Sequence, residues 1–549
     1  MPSPSRYRQI AGNLLAPRNA QPFTYSDGPI EDYLAEVVAN TPDCGTLSPA
    51  LAAAIKDWPT HYHLGYNRSF LLRPFGNLLR GKSVLELGAG CGALTRYLGE
   101  TAARVTALEG SPKRAGIAAS RCRDLASVTV INDTIQDLEL DETFDVVTLI
   151  GVLEYARAFG PETEKPEAAL LAVAKSFLKP GGHLLLAIEN QLGLKYFAGS
   201  AEDHIGLPFF GVHDLYTGKS PVTFGRKELL GLLKDAGFAF IEQFVPLPDY
   251  KLPITVLCPA CFDGETAAPD ITPFILNSYR ADCQPASEHC FSLEAATSAI
   301  VRNGLALDLC NSLFFAASPE PGARACDPAL CVAHYGTQRA PEYVKETLFI
   351  RENGAVRVRR QYLEPGLPGR EYGPVANVLE DEPYLPYPLY HDSLVPLINT
   401  PGWNVQALAL WAKGWVDYLR GKAMGGQLPG KYLDATPLNC AVAPQGEYIF
   451  FDLEWETRDG QTVPLQYVVF RGLFQSLAWF ANVAPPADRT PTRTLVLVAS
   501  VMGRLGIPLE PEMLEECIRR EQEFQAQATR VLQSADAFNS QSLTVRLLA

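Results

Sequence analysis

The rhythm of apolar and polar positions changes at Lys82. Before it, residues 1–80 read as a polar extension leading into helices, with the apolar pair Leu71 and Leu72 beside Arg68 and Arg73, and a helical N-terminal cap is expected there. After it, short apolar runs alternate with helix-periodic stretches. SVLELG reads as a strand, LTRYLGE as a helix, RVTALEG as a strand, PKRAGIAASRCRDL as a helix and SVTVIND as a strand. FDVVTLIG (144–151) continues the series, followed by the helix AALLAVAKSFL, the turn KPGG and the strand HLLLAIEN (183–190). RKELLGLLKDAGF is an amphipathic helix with a glycine stop, and FAFIEQFVPL is expected as the last strand. Such alternation predicts a parallel sheet with helices on both faces, closing near Ala260.

Residues 261–339 read as a connector or accessory segment: FSLEAATSAIVRNG suggests a helix, SLFFAAS a strand, and EPGARACDPA is rich in turn formers. From about residue 340 the pattern changes again. YVKETLFIRENGAVRVRRQYL holds two alternating segments across Glu-Asn-Gly and predicts a β-hairpin, and the long stretches QALALWAKGWVDYL and YVVFRGLFQSLAWFA predict helices. The second region, 340–549, is therefore expected to be α+β. It has no sustained heptad repeat or internal duplication.

Composition narrows the functional classes. With 61 acidic residues against 47 Lys and Arg, the net charge of -14 argues against a broad nucleic-acid-binding face. The N-terminus lacks a basic region followed by an apolar run, and no stretch approaches the roughly 18 continuous apolar residues of a membrane span. A cytoplasmic chain is expected, reaching the inner membrane only as a peripheral protein through partners. The 12 cysteines are too few for a disulfide scaffold. Cys258-x-x-Cys261 with Cys283 and Cys290 leaves structural zinc open beside unconnected thiols, because the later spacing is irregular. His61 and His63 would share a face if their segment were extended, but nothing near them in sequence completes a metal site, and no catalytic metal is expected.

The candidate chemistry centres on the turn Gly88-Ala89-Gly90-Cys91-Gly92. Glycines after a strand let a ligand approach the backbone closely, Glu86 stands just before them, and Glu109 ends the next predicted strand, where a carboxylate can accept from both hydroxyls of a ribose. This pattern fits NAD or S-adenosylmethionine (SAM). VLELGAGCGALTRYL resembles the first motif of class I SAM-dependent methyltransferases, a Rossmann-like family. The resemblance implies a SAM site at Glu86, Gly88, Gly90 and Gly92, ribose recognition by Glu109, and adenine contacts from Asp133 and Ile135, with Asn132 as a substitute for Asp133.

In an open α/β sheet the acceptor faces the carboxyl ends of the strands. Glu154 and Tyr155 follow the fourth strand; Glu189, Asn190 and Gln191 end the fifth; Lys195, Asp203 and His204 lie in the loop beyond. His204, with Asp203 and Tyr155, is the candidate catalytic group, as base or acceptor-orienting residue, because an imidazole titrates near neutrality. Arg68, Glu189, Asn190, Gln191, Lys195 and Lys251 are candidate substrate-binding groups. HYHLGYNRSFLLRP, LAIENQLGLKYFAGSAEDH and PLPDYKLP resemble bacterial methyltransferases of polysaccharide and O-antigen assembly. That resemblance implies O-methylation of a surface-glycan or phosphorylated-glycan precursor, with polysaccharide-assembly proteins as partners.

In the C-terminal region, Asp434 and Asn439 precede Asp452-Leu453-Glu454, an order that resembles kinase-like phosphotransferases. The resemblance implies that Asp434 orients a hydroxyl while Asn439 and Asp452 hold Mg²⁺ on ATP. Tyr432 replaces the usual histidine, no glycine-rich phosphate loop is visible, and the ATP-positioning cation would be Arg359 or Arg360, or Lys345 from the preceding strand. Bifunctional methyltransferase-kinases share this domain order, so a bifunctional enzyme and a glycan-assembly scaffold with a non-catalytic kinase-like domain stand as alternatives. An unrelated accessory domain would use the same three residues as turns and caps.

Overall fold

The computed structural model describes residues 6–546, except 20–22, 24, 27, 161–162, 265–266, 287 and 532–533. The reading of residues 1–5 as the start of the cap lies outside the described residues. The chain divides into two compact units: residues 1–265, 283–285 and 304–333 form the first, and 266–282, 286–303 and 334–549 the second. The stretch 261–339 is thus shared between the units.

The first unit is built on β1 (Tyr7–Ala11), β2 (Leu14–Pro17), β3 (Ser83–Leu87), β4 (Arg104–Leu108), β5 (Val128–Ile131), β6 (Phe144–Ile150), β7 (Leu178–Glu189), β8 (Phe240–Leu247), β9 (Thr255–Leu257) and β10 (Ser312–Ser318). Their spatial order is β1-β2-β5-β4-β3-β6-β7-β10-β8-β9. From β2 to β7 every pair in that order is parallel. All five residues of β3 are buried, which is why its apolar run shows no alternation: a central parallel strand is covered on both faces.

Two pairings depart from the sequence expectation. FAFIEQFVPL is not the last strand of the unit: it forms β8, and β9 and β10 follow it, of which β10 lies antiparallel between β7 and β8. Every residue of β10 is buried, so SLFFAAS is a core strand of the first unit rather than part of a connector. The N-terminal segment, for its part, is not helical throughout. β1 and β2 form a hairpin, and Leu14 and Leu15 pair with Val130 and Ile131 of β5. Four of the five β1 positions are exposed, which leaves no hydrophobic alternation to read. Helices follow at Ile30–Asn40, Pro49–Ala53 and Trp58–Leu64. The last holds His61 and His63, fixed by a capping box in which the Asp57 carboxylate accepts from Thr60 N at 3.0 Å. Two positions apart on a helix diverge in direction, so the two imidazoles do not share the face an extended segment would offer.

The second unit includes the helices Thr272–Ser278 and Leu293–Arg302 and an antiparallel hairpin, Lys345–Glu352 with Ala355–Tyr362, turning at Asn353 and Gly354 with φ of 50° and 77°. Positive φ at both central residues suits the strand twist and explains the Asn-Gly pair. Helices Val405–Lys422, Leu465–Ala478, Thr494–Arg504 and Pro511–Thr529 enclose a core containing Trp415, Phe470, Val498 and Phe524. Among the described residues, no helix is long and apolar enough to cross a membrane.

Candidate functional site

β3 ends in the glycine turn, where Gly88, Gly90 and Gly92 have φ of 84°, 55° and 81°. A Cβ on Gly88 would stand 2.4 Å from Val152 Cγ2, and one on Gly92 would stand 2.8 Å from Ala118 Cα. The turn therefore needs glycine for its backbone angles and also for its closeness to the end of β6 and to the helix Pro112–Arg121. Glu109, just past β4, ties the turn down: its Oε2 accepts from Gly90 N at 2.7 Å and its Oε1 from Ser111 N at 2.8 Å. Each oxygen keeps a further lone pair for a ligand hydroxyl. Beyond β5, Asp133 Oδ2 accepts from Tyr7 Oη at 2.8 Å and Arg6 Nη2 at 3.0 Å. Asn132 instead donates to Glu109 O and Gly110 O, at 2.9 and 2.8 Å, and braces the loop.

These groups surround a cavity of about 400 Å³ at the carboxyl edge of the parallel strands. Glu86, Gly88, Gly90, Glu109, Asp133 and Ile135 all line it; Gly92 and Asn132 do not. Gly92 acts one step back, as the residue that starts the helix Ala93–Thr101. Thr95 Oγ1 donates to the buried Glu86 Oε2 at 2.6 Å, and burial pushes the Glu86 carboxyl up to about 7 against that hydrogen bond. The glycine cradle, the hydroxyl-accepting carboxylate and the adjoining acid fit a nucleoside-bearing cofactor such as SAM.

At the other end of the cavity stand Arg68, Glu154, Tyr155, Glu189, Asp203, His204 and Lys251. Lys251 Nζ lies 2.7 Å from Glu189 Oε1 and also binds Asp203. Lys195 reaches Asp203 and Asp249 at 3.7 and 3.8 Å. His204 Nδ1 meets Tyr155 Oη at 3.3 Å, and its Nε2 stands 3.5 Å from Glu189 Oε2. Burial opposes charge on His204, but Glu189 overrides it and raises the imidazole to about 9. Burial, then the charge of Glu189, pushes Glu154 up to about 8. Burial works against Glu189 too, yet Lys251 and His204 hold it well below the usual carboxylate range. Glu154 Oε2, Glu189 Oε2 and His204 Nε2 are buried with no hydrogen-bond partner.

Several sequence candidates are placed elsewhere. Asn190, Gln191 and Lys195 do not line the cavity. Asn190 is fully buried and donates to Asp308 O and Cys310 O at 2.8 and 2.7 Å; Gln191 donates to Gly211 O at 2.9 Å. Both hold the chain leaving β7, and Lys195 neutralises Asp203 and Asp249 from behind. Arg68 lines the cavity, but its guanidinium Nη1 donates to Tyr250 O and Lys251 O at 3.2 and 2.7 Å. Sequence reasoning missed Phe23, Tyr25 and Phe159, which form an edge-to-face cluster with Tyr155 at the cavity wall. No local periodicity marks them. Glu154, noted only for following the fourth strand, belongs to the centre of the polar end.

In the second unit, Asp434, Asn439 and Asp452 come together. Asn439 Nδ2 lies 3.3 Å from Asp434 Oδ2 and 3.5 Å from Asp452 O. Lys345 Nζ, with its side chain only 2% exposed, reaches Asp452 Oδ1 at 2.7 Å and Glu454 Oε2 at 3.0 Å. Arg360 also pairs with Asp452, at 2.9 Å, while Arg359 turns outward to Glu352. Burial disfavours the Asp452 carboxylate, but Lys345 and Arg360 hold it well below its ordinary range. Of the three cations weighed from sequence, Arg359 is excluded from this cluster because its strand position faces away.

Residues 60–243 match the family described as "Methyltransferase domain". Curated relatives include the demethylmenaquinone methyltransferase of Tropheryma whipplei, 34% identical over 107 residues, or 19% of this chain and 41% of that protein. The cypemycin N-terminal methyltransferase of a Streptomyces species is 33% identical, over 22% and 48% of the two chains. A ubiquinone biosynthesis O-methyltransferase of Proteus mirabilis is 31% identical, over 25% and 54%. The chain thus spans about half or less of the length of these relatives. Among solved structures, the N-methyltransferase NodS of Bradyrhizobium japonicum is similar at 16% identity and a TM-score of 0.26, over 46% of this chain and 94% of that one. The domain in the first unit has the class I SAM-dependent methyltransferase fold.

Proposed function

We propose that this protein transfers a methyl group from SAM to a hydroxyl of a surface-glycan precursor. SAM, when bound, supplies an electrophilic methyl group on a sulfonium. The observation that carries the reading is one continuous cavity with the glycine cradle and Glu109 at one end and the orphaned oxygens of Glu154 and Glu189 at the other. An acceptor hydroxyl donating to either oxygen satisfies a buried acceptor, and the aromatic wall of Tyr25, Tyr155 and Phe159 offers apolar faces for a sugar ring. Because Glu189 keeps His204 protonated up to about pH 9, His204 orients the acceptor at neutral pH and does not act there as a base.

A phosphorylated acceptor is the less favoured version. Lys195 and Lys251 already pair with Asp203, Asp249 and Glu189, Arg68 Nη1 donates to two backbone carbonyls, and the carboxylates around them repel a phosphate. The proposed setting is the cytoplasmic side of glycan assembly, with assembly proteins as partners. The test is labelled SAM incubated with lipid-linked glycans and free sugars. Acceptor-dependent label in a base-stable ether supports the reading; SAM binding without transfer to any glycan removes the glycan acceptor and leaves the scaffold reading.

The second unit supports a second reading, a kinase-like domain binding ATP and Mg²⁺. What supports it is the meeting of Lys345 with Asp452 beside Asn439 and Asp434. ATP titration with and without Mg²⁺ tests it: saturable Mg²⁺-dependent binding lost in Asp452→Ala favours the bifunctional enzyme, and no binding favours the scaffold role.

A further inference from the structure

Glu154, Glu189 and His204 come from separate segments, after β6, at the end of β7 and in the following loop, yet each presents a donor atom within 4.8 Å of the others. Both glutamates are 2% exposed, and Glu154 Oε2, Glu189 Oε2 and His204 Nε2 have no hydrogen-bond partner. Glu189 Oε2 and His204 Nε2 face one another at 3.5 Å without a hydrogen bond and Glu154 Oε2 has no hydrogen-bond partner, so the three atoms converge on a point where a cation would satisfy them better than they satisfy one another. The surrounding charges repeat the point. With Glu154 ionised and His204 neutral, as both would be once a cation displaced their protons, four carboxylates, Glu154, Glu189, Asp203 and Asp249, face two ammonium groups, Lys195 and Lys251, and the cluster is in excess by two negative charges. Next outward, Glu202 and Arg68 cancel one another, both already bonded to backbone groups.

We propose that Glu154, Glu189 and His204 bind a divalent transition-metal ion of the manganese(II) or zinc(II) kind at the polar end of the cavity. One such ion cancels the excess charge and occupies all three orphaned atoms. Ligands about 2.2 Å from a metal stand a little over 3 Å apart when adjacent, and Glu189 Oε2 and His204 Nε2 are 3.5 Å apart. The mixed set of one imidazole and two carboxylates selects against magnesium and calcium, which take oxygen donors, and suits manganese(II) or zinc(II). Tyr155 Oη, 3.3 Å from His204 Nδ1, orients the ring so that Nε2 points inward. Resting on the reading of this end as the acceptor end, the ion would sit where a hydroxyl enters, and a hydroxyl against it loses its proton more readily.

The test uses the full chain, freed of metal with a chelator and titrated with manganese(II) chloride while the free-ion electron paramagnetic resonance signal is followed. One ion per chain is expected with micromolar affinity, weakened at least tenfold in Glu154→Gln and in His204→Gln. Nitrogen modulation of the bound-manganese echo is expected in the wild-type chain, so the assignment of His204 holds even where a variant misfolds. Absence of that modulation, or an affinity unchanged in a Glu154→Gln chain that still binds SAM, would overturn the site. SAM is titrated alongside: metal binding without SAM binding removes the methyltransferase reading and keeps the metal site, whereas SAM binding without metal binding removes the metal site alone.

Discussion

Glu86 carries the clearest pH consequence of any single group in the cradle. Burial raises its carboxyl to about 7, so across neutrality it passes from neutral to charged, and SAM is cationic at both its sulfonium and its amino group. SAM affinity is expected to rise about three- to tenfold between pH 6 and pH 8 and to lose that slope in Glu86→Gln, as read by calorimetric titration. A flat profile in the wild-type chain would remove Glu86 from contact with the cofactor. His204 makes a complementary prediction: as the acceptor-orienting residue, its replacement by alanine should cut turnover about a hundredfold while leaving SAM affinity within about twofold. An equal loss in SAM affinity would move His204 into the cofactor end.

Among the elements, the strand-to-helix turn is the least tolerant. Gly92 combines φ of 81° with a would-be Cβ 2.8 Å from Ala118 Cα, and the obstructing atom is backbone. Gly92→Ala is expected to destabilise the first unit by more than about 1 kcal/mol and to weaken SAM binding with it, because helix and turn must shift together. Chemical denaturation followed at the first unit checks this. In the second unit, Lys345 is the buried cation between Asp452 and Glu454. Lys345→Met removes the cation shared by the two carboxylates, leaving Asp452 to Arg360 and Glu454 to Arg339, and should cost about 3 kcal/mol, whether or not the unit binds ATP. A Lys345→Met chain as stable as the wild type would mean that those carboxylates take up protons without strain.

For the molecule as a whole, the two compact units predict separable behaviour. Asp452→Ala should leave SAM affinity unchanged, and Glu109→Ala, which removes the acceptor for Gly90 N and Ser111 N, should abolish SAM binding while leaving the second unit's unfolding transition in place. Paired titrations of the two variants decide this, and loss of SAM affinity in Asp452→Ala would show the units to be coupled.

The cradle was legible in sequence because its determinants are local. A buried parallel strand writes a continuous apolar run, a tight turn with positive φ demands glycine, and the acid after β4 sits at a spacing set by one strand-helix-strand unit. The polar end of the cavity was legible only in part: Tyr155, Asp203, His204 and Lys251, named from sequence, line it, but Asn190, Gln191 and Lys195 do not and serve in loop support and charge neutralisation. Whether a polar side chain at a strand end faces a cavity or a neighbouring loop depends on segments far away in the chain, here the region around Asp308 and Cys310. Long-range pairing likewise placed β10 between β7 and β8 and brought Tyr7 onto Asp133. The protonation of His204 has the same origin: an isolated imidazole titrates near neutrality, burial alone would lower it, and the charge of Glu189, from the end of β7, outweighs burial and moves it to about 9. Periodicity and turn chemistry are properties of neighbouring residues, so one chain read in order contains them; charge coupling and strand insertion arise only when distant segments meet.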